Sequence, residues 1–318
     1  MSRDGRRKEA GRGRKPSGAN RNSDAIPGDR GKTSDAELPC KPTPGLYLVA
    51  TPIGNLRDIT LRALDVLAGV DLIACEDTRV TGRLLNAYGV DRPMLPYHDH
   101  NAGRIRPKLI AKLEAGASVA LVSDAGTPLI SDPGYKLVSA CIAAGVAVSS
   151  IPGPSAALTA LQLAGLASDR FLFAGFPPTR VKARREAFAG LAGIDATLIF
   201  YEAAPRLAAS LADMASILGP RAAAVAREMT KRYEEVRRGT LQSLAAAYAD
   251  APPPKGEIVV VVDGPGPPPA VTEDELDARL KTALAGASVR DAAAMVAAET
   301  GISRRRVYAR ALALADGG

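Results

Sequence analysis

Histidine, cysteine and tryptophan are what this sequence has least of: two, three and none among 318 residues. Cys40, Cys75 and Cys141 form an odd, widely spaced set, which excludes a disulfide framework and a paired-cysteine zinc motif. Cys75 and Cys141 read as small core residues, and Cys40 as an exposed bystander. Every apolar run is short and broken by Gly, Pro or charge, far from the ~20 residues of a membrane span. No apolar segment follows the arginines of residues 1–10, so the expectation is a cytoplasmic protein without a secretory signal. No G-x-G-x-x-G opens the first helix and no G-x-x-x-x-G-K-[ST] occurs, so dinucleotide-binding and P-loop fingerprints are absent. The lack of tryptophan, beside a wealth of Ala and Arg, speaks of coding bias rather than of chemistry.

What is present is organised around VALVSDAGTPLISDPG, residues 119–134. Its opening residues predict a buried strand, and the Asp, Gly and Pro that follow predict a rigid turn. In open α/β sheets helices cover both faces, so ligands sit at the carboxyl ends of strands. Gly126 lets another molecule approach the backbone, Pro128 and Pro133 fix φ, and Asp124, Thr127, Ser131 and Asp132 offer polar groups. Taken alone, the loop fits a plain strand-to-helix connection equally well.

A hydrophobic content of 47% over this length suffices for two domains or more. Residues 1–44 carry eleven Lys and Arg against six Asp and Glu, most of the chain's formal charge of +7. With almost no large apolar residue they read as a disordered basic tail, either an arm for polyanions such as RNA or a plain solubiliser. GLYLVA at 45–50 is a strand entering the small-residue loop Thr51–Asn55, and 70–75 is another, ending in Glu76-Asp77-Thr78-Arg79. That charged cluster is a solvent-facing ion pair or part of a site. His98 and His100, the only histidines, flank Asp99, and their spacing puts both on one side of an extended segment. No third ligand accompanies them, so no metal is expected. A helix over 104–115, the organising strand, a helix over 135–144 and a strand over 146–151 lead to Pro152-Gly153-Pro154. Ser155 then opens a helix over 157–163, whose N-terminus suits an anionic group. Three strands thus end in Gly/Pro loops, which predicts an α/β domain with a lined crevice.

The second half reads as another α/β layer, with strands at 171–176, 197–201, 222–227 and 258–262, the last fully buried. GPGPPPA is a stiff linker. Thr272 and Glu275 form a capping box before the first of three helices, at 272–284, 288–300 and 304–315. Helix, Gly-containing turn and Arg-rich helix match a helix-turn-helix, with Arg304, Arg305, Arg306 and Arg310 facing phosphates. A small helical cap or a dimer contact gives the same pattern. The expected organisation is a tail at 1–44, α/β domains at 45–155 and 156–263, a linker at 264–271 and a helical module at 272–318.

TPIGNLRDIT, CEDTR, LVSDAGTPLISDPG, IPGPSAAL, EMTKRYEEVRRG and KGEIVVVV, in this order over residues 45–263, resemble the bacterial 16S ribosomal RNA (cytidine-2′-O)-methyltransferase family, within the tetrapyrrole methylase superfamily. The resemblance implies a two-domain α/β fold with S-adenosylmethionine in the cleft between domains, a C-terminal helix-turn-helix, 16S rRNA or the small ribosomal subunit as partner, no membrane, and a homodimer. It places the superfamily's Gly-Asp-Pro cofactor loop on Gly126, Thr127 and Pro128. Ala125, Ile130, Ser155 and Ala156 would line the cofactor with them, Pro52 and Gly54 would border the cleft, and Tyr201, Arg227 and Gly256 would come from the second domain. Where the family commonly has Glu-Ser-Pro-His-Arg, this chain has Glu202-Ala203-Ala204-Pro205-Arg206, so no histidine can act as a base there.

Methyl transfer to a ribose hydroxyl is an in-line displacement in which the cofactor supplies the leaving group and the protein positions the acceptor. A base would assist the hydroxyl, and Asp77 and His100 are the candidates, with Arg79 orienting or binding phosphate. Two other readings stand beside this one: a methyltransferase acting on a tetrapyrrole, and a non-enzymatic nucleic-acid-binding regulator.

Overall fold

A computed structural model describes residues 41–132, 134–266 and 271–316. Residues 1–40 of the basic tail, with Cys40, as well as Pro133 and residues 267–270 of the linker, lie outside the described residues.

Hydrophobic strands alternate with amphipathic helices through the first half: β1 (Gly45–Val49), α1 (Leu61–Gly69), β2 (Leu72–Cys75), α2 (Thr78–Ala87), β3 (Met94–Pro96), α3 (Ala102–Glu114), β4 (Ser118–Val122), α4 (Tyr135–Ala143) and β5 (Val148–Ile151). The strands form one parallel sheet in the order β3-β2-β4-β1-β5. β4 lies at its centre, with all five residues buried. Side chains alternate across a strand, and here Ala120 and Val122 meet α1 and α2 while Val119 and Leu121 meet α3 and α4. Cys75 and Cys141 are buried in these two layers. Because β1 and β4 pair from Gly45↔Ser118 to Val49↔Val122, they end level and release their loops side by side.

The second half continues with α5 (Ala156–Ala164), β6 (Phe171–Gly175), α6 (Val181–Leu191), β7 (Thr197–Ala203), α7 (Leu207–Leu218), β8 (Ala222–Arg227), β9 (Glu235–Thr240), α8 (Leu241–Ala249) and β10 (Glu257–Val262). Its sheet runs β6-β7-β10-β8-β9, with β6 and β7 parallel and every other pair antiparallel. The α/β layer anticipated from the sequence is therefore a mixed sheet. α6, α7 and α8 cover one face. The other face receives α5, through Ala157, Ala160, Leu161 and Ala164, together with Ile53 from the first half.

Three more helices, α9 (Glu273–Leu284), α10 (Val289–Thr300) and α11 (Arg304–Asp316), pack around Leu276, Leu280, Val296 and Val307. Thr272 and Glu275 form the expected capping box, and Gly301 ends α10 at φ 69°. The histidine segment departs from expectation. His98 begins a turn rather than an extended run, because Asn101 N and Ala102 N both donate to its carbonyl oxygen.

Candidate active site

The loops leaving β1, β4 and β5 are stitched together at the carboxyl edge of the first sheet. Thr51 N donates to Gly126 O at 2.9 Å, and Gly126 N donates back to Thr51 O at 3.0 Å. Thr51 Oγ1 donates to Ser123 O at 3.2 Å, and Thr127 Oγ1 donates to Pro154 O at 3.0 Å. Gly126 sits at φ 79°, and a Cβ there would approach Ile53 Cγ2 to 3.2 Å. Leu129 at φ 74° and Ser131 at φ 65° are also left-handed, a costly conformation for side-chain-bearing residues that clusters at functional sites.

This loop floors a cavity of about 490 Å³ between the two sheets, within the range of small-molecule sites. Ala125, Gly126, Thr127, Ile130, Ser155, Ala156, Tyr201 and Gly256 line it, so eight of the residues singled out in the sequence come together. Ser155 is the N-cap of α5, yet its side chain makes no capping bond, which leaves the hydroxyl and helix terminus for an anionic ligand group. From the second half come Tyr201, stacked edge-on with Phe173 and Phe176 at 4.8 and 5.5 Å, and Glu202. The Glu202 side chain is wholly buried, paired with Arg206 Nη2 at 2.5 Å and accepting from the Ser210 hydroxyl.

A second cavity of about 430 Å³ adjoins the first through Ile53, Ala125 and Glu257. Pro52 and Gly54 line this neighbour, along with Arg83, Asp124 and Lys231. A third, of about 470 Å³, meets the second at Asp124 and gathers Asp77, Arg79 and His100 with Glu76 and His98. The three catalytic candidates are thus together, although they do not line the cavity of the Gly126 loop. Arg79 Nε and Nη2 donate to the Asp77 carboxylate, which also caps α2 through Arg79 N. That grip holds the Asp77 carboxyl down at about 2.

Six expected residues lie elsewhere, two of them in the α/β part and four in the helical module. Pro128 is buried behind the loop. The Arg227 side chain turns from the cleft to Glu235, at 3.0 Å, and the Lys255 carbonyl, at 3.1 Å, because the β8–β9 hairpin sets a carboxylate beside it. Arg310 clasps the Asp277 carboxylate with two donors and Arg306 lies 3.7 Å from Glu273, while Arg304 and Arg305 are exposed.

Sequence reading passed over other lining residues. Asp132 was only one polar group of a loop, yet it borders the first cavity; burial, then Glu76, raises its carboxyl to about 6. Burial likewise raises Asp124 and Glu76. Glu257 and Lys231, 3.0 Å apart, close the wall between the first two cavities. Both stood inside the quoted motifs, but nothing local told that they would meet.

Comparison with known proteins supplies the lineage. Residues 45–245 match the family described as Tetrapyrrole (Corrin/Porphyrin) Methylases, and residues 270–315 match the RsmI C-terminal HTH domain. A Mesorhizobium japonicum protein named Ribosomal RNA small subunit methyltransferase I is 53% identical, over 88% of this chain and 96% of its own. Proteins of the same name from Synechocystis sp. and Escherichia coli O157:H7 are 48% and 46% identical, covering 86% and 84% of this chain and 99% and 94% of theirs. Among solved structures, diphthine synthase superposes with a TM-score of 0.51 at 17% identity, over 69% of this chain and 89% of that one; uroporphyrin-III-C-methyltransferase from Thermus thermophilus does so at 0.50 and 22%, over 68% and 93%. At such identities the likeness is one of fold. The chain belongs to the tetrapyrrole methylase family and, within it, to the ribosomal RNA small subunit methyltransferases I.

Proposed function

We propose that this enzyme, an S-adenosylmethionine-dependent methyltransferase acting on 16S rRNA, methylates the 2′-hydroxyl of a cytidine in the small ribosomal subunit. The observation that carries the reading is the cavity between the sheets, built on the Thr51–Gly126 bridge in a chain whose end-to-end relatives are named rRNA methyltransferases. Those names, with the C-terminal HTH match, weigh against a tetrapyrrole substrate and against a regulator without activity.

The cavity suits S-adenosylmethionine. Ile53, Ala156, Phe176 and Ile258 give it apolar walls for a purine, while Ser155 and the α5 N-terminus suit an amino-acid carboxylate. When bound, the cofactor supplies an electrophilic methyl group and its own leaving group. Ala125 to Thr127 would hold it by backbone groups, Gly126 permitting close approach. With the cofactor in place, the apolar walls would help to exclude water from the reacting centre. Arg79, fixed by Asp77 beside His100, presents a cation for RNA phosphate at the third cavity, which gives Asp77 a positioning role. Arg304 and Arg305 extend the phosphate contacts from the helical module.

No described helix is long and apolar enough to cross a membrane, and a ribosomal substrate supports a cytoplasmic location. Tyr135 and Ile142, seven apart on α4 and largely exposed, supply an apolar stripe for a homodimer, which light scattering reads directly. The deciding test of function is transfer of labelled methyl to small subunits from cells lacking the protein, followed by nucleoside mass spectrometry. Methyl on a cytidine ribose sustains the proposal. No transfer to subunits or naked 16S rRNA, with cofactor binding intact, overturns it.

A further inference from the structure

Three carboxylates border the cofactor cavity: Asp132, Glu202 and Glu257. Glu202 is saturated, bonded to Arg206, to Ser210 and to the backbone N–H of Ala203. Glu257 is neutralised by Lys231 at 3.0 Å. Asp132 alone of the three has no cation acting on it among the described residues. The charged and titratable groups around it are Glu76 from the end of β2, Asp124 from the end of β4, Tyr201 and Glu202 from β7, and Glu257 from β10, while the nearby Ser123 hydroxyl donates to the Gly126 carbonyl.

The place of Asp132 matters as much as its isolation. It borders the cofactor cavity, yet its carboxylate is within electrostatic reach of Glu76 and Asp124, which line the third cavity where Arg79 stands. Asp124 joins the third cavity to the second and its neighbour Ala125 joins the second to the first, so a cofactor in the first cavity and a nucleotide held by Arg79 would approach each other past this loop, with Asp132 on its cofactor side. The backbone is strained around it: Ser131, directly before it, and Leu129 both have positive φ, a costly conformation that clusters at functional sites. Asp77, committed to Arg79, is too weak a base, and His100 opens onto the other cavity.

Building on the ribose-methylation reading, we propose that Asp132 is the catalytic residue that accepts the proton of the ribose hydroxyl. The O2′–H bond breaks and its proton passes to the Asp132 carboxylate. O2′ forms the new bond to the methyl carbon, and the methyl–sulfur bond breaks with its electron pair kept by sulfur. The step balances without a further reactant. A carboxyl raised to about 6 is ionised at neutral pH and still basic enough to draw a proton in the transition state. Activity is then present above that value and lost as pH falls through it.

The test uses full-length protein with small subunits as substrate, comparing wild type with Asp132→Asn and Asp132→Glu. Three quantities are read: single-turnover methyl transfer against pH, S-adenosylmethionine affinity by calorimetry, and the Asp132 titration by carbon-13 NMR in the cofactor-free protein. The expected result is a loss of ~100-fold or more in transfer for Asp132→Asn, with cofactor affinity within about twofold, loss of the acid limb near pH 6, and partial rescue by Asp132→Glu. Unchanged transfer, a limb that survives the substitution, or affinity falling in step with rate overturns the assignment, the last making Asp132 a cofactor ligand instead. Should Asp132→Asn fail to fold, the wild-type titration decides: coincidence with the acid limb supports the role, and a titration away from it overturns it. Ribose methylation absent from the wild type would instead sink the underlying reading, so the two failures are distinguishable.

Discussion

Thr51 and Gly126 exchange two backbone hydrogen bonds, of 2.9 and 3.0 Å, just beyond the ends of β1 and β4. This isolated bridge extends the central strand pair into the loops, so the floor of the first cavity inherits the rigidity of the sheet. It also accounts for Gly126, whose φ of 79° a side-chain-bearing residue adopts only at a cost.

Gly126→Ala is therefore expected to weaken S-adenosylmethionine binding more than it unfolds the protein. The added Cβ would meet Ile53 Cγ2 at 3.2 Å, so Ile53 must give way by a few tenths of an ångström. A stability cost of about 1–2 kcal/mol with affinity lowered at least tenfold is the expectation. Calorimetry and urea unfolding on one preparation separate the two effects, and undiminished affinity would detach the loop from the cofactor.

Asp77→Asn releases the Arg79 guanidinium from a carboxylate now held by three donor contacts. Cofactor affinity should stay near wild type, because Asp77 does not line that cavity, while RNA affinity and turnover fall. Filter binding and single-turnover kinetics check the split; intact turnover would remove Arg79 from the substrate path.

The helical module offers a contrast between neighbouring arginines. Replacing Arg304 and Arg305 together by Ala should reduce the slope of log affinity against log salt by ~1.4, about 0.7 per phosphate contact on single-stranded RNA. Arg310→Ala should leave the slope alone and lower the melting temperature, because its partner is Asp277 on α9. Equal slope changes in both variants would mean that the Asp277 pair opens on binding.

Arg206→Ala leaves the wholly buried Glu202 carboxylate without its cation. Breaking one partner of a buried pair costs on the order of 3 kcal/mol, readable as a drop in the urea midpoint. Arg206 Nη1 also holds the Pro177 carbonyl, next to the cavity-lining Phe176, so cofactor affinity should fall with stability.

Acid stability has its own marker in Asp71. Lys41, then Ser118, hold its carboxyl down to about 2 from the ordinary 3.8. A lowered folded-state value contributes stability that is fully present above 3.8 and lost as pH falls toward 2. Asp71→Asn should flatten the pH dependence of unfolding within that window and leave it unchanged above pH 5. An unaltered curve between 2 and 4 would remove Lys41 and Ser118 as its cause.

Much of the fold was legible because the signals were local. β4 and β10 announced themselves as short apolar runs, and the Gly/Pro loops after β1, β4 and β5 marked the crevice. α2 was hidden behind the charges of residues 76–79, where Asp77 proves to be a helix cap rather than only an ion-pair partner. β9 escaped notice because it is an edge strand with no fully buried residue, so no alternation betrays it. The mixed strand directions of the second sheet were equally unreadable, since a strand's sequence does not state the direction of its neighbour. The same divide runs through the site. Gly126 and Ser155 are defined by their own backbone, whereas Arg227, Arg310 and Asp132 are defined by Glu235, Asp277 and Glu76, residues distant or separately folded.

α5 has one further consequence. It follows β5 of the first sheet in the chain, buries its apolar side in the second, and sets its leading end at the first cavity. A chain severed after Gly165 would carry this helix away from the sheet it packs on, while one severed before Ser155 would strip the first cavity of one of its walls. The two halves therefore cannot be inherited, exchanged or engineered as independent modules, and a hybrid enzyme should be joined beyond residue 263, where a Pro-rich tether already marks the seam.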